Sequence, residues 1–143
     1  MEECLVILPK ENYYRATAAE GSIRLDRSLD LYEGWEKVSK IHQIFQNPRY
    51  DGRHLEGPEL FQYNENDWLK DERGEAIPTY GLFCDQFAEG KGYLAFQTTD
   101  IKDITGEKWS VVDNVDFGTL KKRHGAIISI TREEYRRLID HFS

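Results

Sequence analysis

Apolar residues along the chain change their spacing twice. "ECLVILP" (3–9) is a compact apolar run closed by proline, the pattern of a buried strand. "KENYYRATAAEG" (10–21) carries Ala16, Ala18 and Ala19, good helix formers, and stops at Gly21, which predicts a short helix. In "SLDLYEGWEKVSKIHQIFQNP" (28–48), Leu31, Trp35, Val38, Ile41 or His42, and Phe45 recur at helical spacing behind Ser28 as a cap. That predicts a long helix ended by Asn47-Pro48. Gly34 inside it costs about 1 kcal/mol relative to alanine, which implies close packing there.

Beyond residue 60 the spacing becomes strand-like. "IPTYGLFCDQF" (77–87) and "GYLAFQTTDI" (92–101) flank "AEGKG" (88–92), a glycine-bearing turn of hairpin length. Both alternating sets of the first segment are largely apolar, as in a central strand covered on two faces. "KDITGE" leads into "KWSVVDNVDF" (108–117), a third strand of a meander, and "GAIISI" (125–130) predicts a last strand. In "ITREEYRRLIDHF" (130–142), Thr131 and Glu134 have the spacing of a capping box, and Ile130 and Tyr135 stand at staple positions. Tyr135, Leu138, Ile139 and Phe142 make one apolar stripe. The expected architecture over residues 1–143 is a single α+β domain. It has an antiparallel sheet of about five strands (N-terminal strand, central meander, late strand), with two N-terminal helices and one C-terminal helix packed on it. The sequence shows no internal repeat and no low-complexity segment.

At 143 residues, 39% hydrophobic and 13% aromatic, the chain can bury a core. No apolar run approaches the ~20 residues of a membrane span, and the opening "MEECLVILPKENYY" lacks a basic start and a cleavage site. The two cysteines, Cys4 and Cys84, sit in apolar surroundings without flanking metal ligands, the usage of a reducing compartment. A cytoplasmic location is expected.

Charge narrows the choice of partner. The net value is −7, distributed as 13 Lys/Arg against 23 Asp/Glu over residues 1–118 and 6 against 3 over residues 119–143. Such a balance disfavours nucleic acid and favours a protein partner with a basic surface. A simpler alternative is that the acidity serves solubility.

Candidate chemistry gathers in two places. The stretch 47–68, "NPRYDGRHLEGPELFQYNENDW", carries Arg49, Tyr50, Arg53, His54, Glu56 and Trp68, and its two prolines and two glycines predict a long loop. Aromatics and arginines make it an interaction loop, with Tyr50 and Trp68 as anchors. "LKKRHG" (120–125) is the one basic cluster, Lys121, Lys122, Arg123 and His124, able to seat a small anionic ligand. A solvated loop and a solvated turn are the plain structural alternatives. Cys84 among Leu82, Phe83 and Phe87 is poorly placed as a nucleophile and reads as a core thiol. Asp85 beside it is either a base in an apolar setting or an edge acid. No cofactor-binding or metal-binding motif is read; "EGKG" lacks the strand-to-helix setting of a phosphate loop. Two functions follow. The first is a small acidic protein that occupies another macromolecule, of inhibitor, immunity or anti-defence type. The second is a small enzyme or ligand binder whose polar residues around 54–56, 85 and 121–124 converge on one pocket.

Overall fold

A computed structural model describes residues 3–7, 12–19, 22–40, 55–86, 91–113, 115–119 and 123–142. The first sheet is a meander of β1 (Glu3–Ile7), β2 (Tyr13–Ala19), β3 (Ser22–Ser28) and β4 (Glu36–Lys40), antiparallel and in chain order. Next come β5 (Glu56–Gln62), a small hairpin of β6 (Leu69–Lys70) and β7 (Ala76–Ile77), then β8 (Tyr80–Asp85), β9 (Tyr93–Thr98) and β10 (Ser110–Val111). Strands β5, β8, β9 and β10 form a second antiparallel meander, with the small hairpin inserted between β5 and β8. The repetition, invisible in the sequence, lies in the strand pairing.

Period-two alternation explains the core. Tyr14, Ala16, Ile23 and Leu25 of the first sheet are fully buried, as are Leu82, Cys84 and Phe96 of the second. All belong to one apolar cluster, completed by Leu55, Ile101 and Trp109, and β5 packs against β1 and β2.

The α+β expectation is overturned, because neither of the two N-terminal helices forms among the described residues. Residues 13–19 are strand, with Ala16 paired to Cys4 on one side and Leu25 on the other. Small alanines suit a strand whose face is pressed against a second sheet, and burial overrides their helix propensity. The segment read as the long helix instead ends β3 at Ser28, turns, and enters β4. In that turn Ser28 Oγ accepts the Asp30 N–H at 3.0 Å, Asp30 Oδ1 accepts the Tyr32 N–H at 2.7 Å, and Gly34 takes φ +71°. Such side-chain-to-backbone bonds compete with helix formation. The remainder of that segment, 41–48, lies outside the described residues.

Four further expectations change. Residues 56–62 of the supposed loop are strand β5. The predicted third meander strand shrinks to Ser110–Val111, and residues 125–130 form no strand. The C-terminal helix α1 (Arg132–Phe142) is present with its capping box. Glu134 accepts the Thr131 N–H at 2.7 Å, and Thr131 Oγ1 accepts the Glu134 N–H at 3.2 Å. It is not packed on a sheet, however, and none of its residues is buried. The two sheets already cover each other's apolar faces, so its stripe of Tyr135, Leu138, Ile139 and Phe142 stays exposed. Among the described residues no helix is long and apolar enough to cross a membrane.

Candidate functional site

The second face of the second sheet carries the polar chemistry. On β8 the alternation sends Tyr80, Leu82 and Cys84 into the core and leaves Gly81, Phe83 and Asp85 on the opposite face. Phe83 there meets Phe61 of β5 and Phe117, each at 5.0 Å between ring centroids and nearly perpendicular. Tyr93 of β9 continues the row, 5.5 Å from Phe117. Edge-to-face contacts of this kind fix ring positions as well as burying area.

Asp85 ends the row. It is only 1% exposed, and it is paired across the ladder with Tyr93 on one side and Glu56 on the other. The Glu56 pairing depends on a bulge. Glu59 stands opposite Phe83 but Glu56 opposite Asp85, so three steps on β5 match two on β8. Gly57, with φ +53°, supplies the left-handed conformation that such a bulge needs. An unbroken alternation would turn Glu56 to the other face.

Arg123 and His124 close over this point. Arg123 Nε donates to Asp85 Oδ2 at 3.0 Å, and its Nη2 donates to Glu56 Oε1. His124 Nε2 stands 3.7 Å from the same glutamate oxygen. Gly57 lies beneath His124, where a Cβ would make only an ordinary van der Waals contact with Nδ1, at 3.4 Å, so its φ rather than the space above it calls for glycine. The guanidinium pKa is raised, first by its hydrogen bond to Asp85 and then by the charges of Asp85 and Glu56. Burial pushes up the Cys84 thiol, and Asp85 adds to that. Tyr93 is likewise raised, by burial first and then by Glu59 and Asp85. Asp85 Oδ1 and the Tyr93 hydroxyl are buried without a hydrogen-bond partner among the described residues. Glu56 is therefore the accessible carboxylate, its side chain 26% exposed, and Asp85 is the enclosed one behind it.

Glu56, Asp85 and His124 present ligand atoms within 4.8 Å of one another, close enough to share a cation. The guanidinium of Arg123 already lies against both carboxylates and balances their charge, so the arrangement is complete as an ion-pair network.

Of the residues singled out in the sequence, Glu56, Arg123 and His124 come together, and Asp85 joins them. Arg49, Tyr50, Arg53, His54, Lys121 and Lys122 lie outside the described residues. Trp68 does not join the cluster; its indole N–H closes a local turn by donating to the Tyr63 carbonyl at 2.9 Å. Sequence reasoning missed Tyr93, Phe117 and the role of Gly57. The available signal was alternation: in "YGLFCD" Phe83 and Asp85 share the parity opposite to the core residues, and in "YLAFQT" Tyr93 has that parity.

Comparison with curated proteins and with solved structures returns no match. A family profile described as a probable glycosyl hydrolase domain does match, over residues 3–136. That span takes in both sheets, the bulge, the Glu56–Asp85–Arg123–His124 cluster and the start of α1, and the chain belongs to this family of probable glycosyl hydrolase domains.

Proposed function

We propose that the chain acts on carbohydrate by glycoside hydrolysis, with Glu56 as the ionised carboxylate that takes a proton from the attacking water. One observation carries this reading: Glu56 is a solvent-reaching carboxylate whose position is set by a backbone bulge and by Arg123, in a chain of this family. Hydrolysis of a glycosidic bond requires a carboxylic acid to protonate the leaving oxygen and a second carboxylate that either activates water or attacks the sugar. Enclosed and held by Arg123, Asp85 cannot reach a sugar, so it is a positioning residue acting through the guanidinium. Glu59 lies one ladder step along the same face, about 7 Å away along the strand. It is partly open to solvent and supplies the carboxylic acid that protonates the leaving oxygen. The row of Phe83, Tyr93 and Phe117 lies beside these acids and limits water on that side.

Hydrolysis of a panel of aryl glycosides is the test. The wild-type chain should release the aryl group from at least one sugar, and Glu56→Gln should lower kcat/KM by about a hundredfold or more with its circular dichroism unchanged. Absence of hydrolysis across the panel, or an unaffected Glu56→Gln variant, overturns the reading.

A protein-binding role is favoured by a different observation, the uncovered apolar face of α1 in an acidic chain. On that reading Leu138 and Phe142 seat a partner while the acids attract a basic surface on it. Leu138→Asp with Phe142→Asp should then abolish capture of a partner that the wild-type chain retains, and equal capture by both chains removes the reading.

A further inference from the structure

The far end of β5 borders a cleft of about 400 Å³ between that strand and residues 127–130. Phe61 and Tyr63 line it, their rings 5.0 Å apart, together with Asn64, Asp67, Ile128 and Ile130. We infer that this cleft is a second carbohydrate-binding site, which holds a neutral segment of a polysaccharide away from the Glu56 carboxylate. The ligand class rests on the hydrolase reading above; the site itself rests on the lining.

Its lining has the two characters that a sugar ring has. Aromatic rings offer a flat apolar surface to the C–H face of a pyranose or furanose, and amide and carboxylate groups at the rim match its hydroxyls. The polar groups are free to do this. Asn64 occupies the position that would cap the following 3₁₀ turn (Glu65–Asp67), yet its side chain makes no capping bond. Asp67 makes no side-chain hydrogen bond among the described residues; its backbone N–H alone is used, donating to the Asn64 carbonyl at 2.8 Å. An amide both donates and accepts, and a carboxylate accepts from two adjacent hydroxyls. The backbone frame is firm, because the Tyr63 N–H donates to the Thr79 carbonyl and the Tyr63 carbonyl accepts from Trp68.

Charge selects among sugars. Asp67 and its neighbour Glu65 are both exposed and acidic, with no basic residue in that turn. The Tyr63 hydroxyl already shows the effect: its pKa is raised by burial and then by Asp67. A carboxylated sugar would be repelled, so the ligand is neutral. Six residues of strand separate Glu56 from Gln62, about 20 Å. One sugar cannot bridge that distance, so the cleft serves a polymer rather than a small glycoside.

Affinity gel electrophoresis of the full chain in soluble xylan, mannan and mixed-linkage β-glucan, with polygalacturonate as the charged comparison, tests the assignment. At least one neutral polymer should retard the wild-type chain. Tyr63→Ala and Asn64→Ala should each weaken retardation, Tyr63→Ala by about tenfold, as expected for loss of one stacking partner. Asn64 is exposed and makes no side-chain bond, so its replacement leaves folding untouched even if Tyr63→Ala does not. Glu56→Gln should be retarded like the wild type. No retardation by any neutral polymer, retardation unaltered in Asn64→Ala, or a preference for polygalacturonate overturns the inference. A chain that cleaves aryl glycosides but is not retarded refutes the cleft alone. One that is retarded but cleaves nothing refutes the hydrolase reading and leaves the cleft standing.

Discussion

Arg123 reaches across two strands to hold Asp85, its Nε 3.0 Å from the enclosed Oδ2, while the same guanidinium donates to Glu56. The partners stand 38 residues apart in the chain, and the carboxylate that the cation serves is the one that solvent does not reach.

Removing that cation leaves a buried charge without a partner. Arg123→Gln should therefore lower the midpoint of urea unfolding, and Asp85→Asn in the Arg123→Gln background should restore part of the loss. A double-mutant cycle measures the coupling. Additive effects of the two substitutions would mean that the ion pair does not contribute to stability.

Gly81 is a packing glycine. A Cβ there would lie 2.2 Å from Phe61 Cζ, so Gly81→Ala must displace the ring. Overpacking of this kind costs about 1–3 kcal/mol. Denaturant melts should show that loss, and Phe61→Ala combined with Gly81→Ala should be less destabilised than the sum of the single variants.

Cys84 is fully buried, and its thiol is raised well above the ordinary value by burial and by Asp85. Thiolate is the reactive form, so this cysteine should resist alkylation in the native chain and react once urea unfolds it. Intact mass after iodoacetamide treatment of a Cys4→Ser variant isolates the effect. Rapid native labelling would contradict the packing of β8.

The cap of α1 carries its own pH dependence. Glu134 is held below its ordinary value, first by the Thr131 N–H and then by the Thr131 hydroxyl. A carboxylate lowered in the folded form stabilises that form above its unfolded-state pKa, about 4.3, and the benefit is lost as pH falls through the lowered value. The helical circular dichroism signal should hold from neutral pH to that range and decline below it. Thr131→Ala should reduce the signal at neutral pH and flatten the decline. Because α1 packs on neither sheet, near-ultraviolet signals from the core should not follow either change.

Legibility in the sequence followed the range of the interactions. The first strand, the pair at 80–85 and 93–98, and the capped helix at 132–142 are each specified by local pattern, and each is present. The alanines of β2 and the spaced apolar residues after Ser28 satisfy a helical pattern too. Only pairing with β1 and β3, and the positive φ of Gly34, decide against it. The candidate site behaved likewise. Glu56, Asp85, Arg123 and His124 were each visible as chemistry, but their meeting depends on strand register over tens of residues. The aromatic row was missed because each ring is one member of an alternation whose buried parity could not be assigned beforehand.

The extra residue in β5 has a consequence for how this chain can change. Leu60 and Phe61 keep their ladder partners whatever happens upstream, whereas the facing of Glu56 is decided by counting residues between it and Glu59. An insertion or deletion there turns the carboxylate through half a revolution, from the polar surface to the apolar one, and turns its neighbour Leu55 out of the core. The facing of Glu56 and the register of Leu60 are thus written in separate parts of the same strand. A relative could lose its acid, and become a lectin-like shell, through a one-residue length change that leaves the ladder partners of Leu60 and Phe61 untouched.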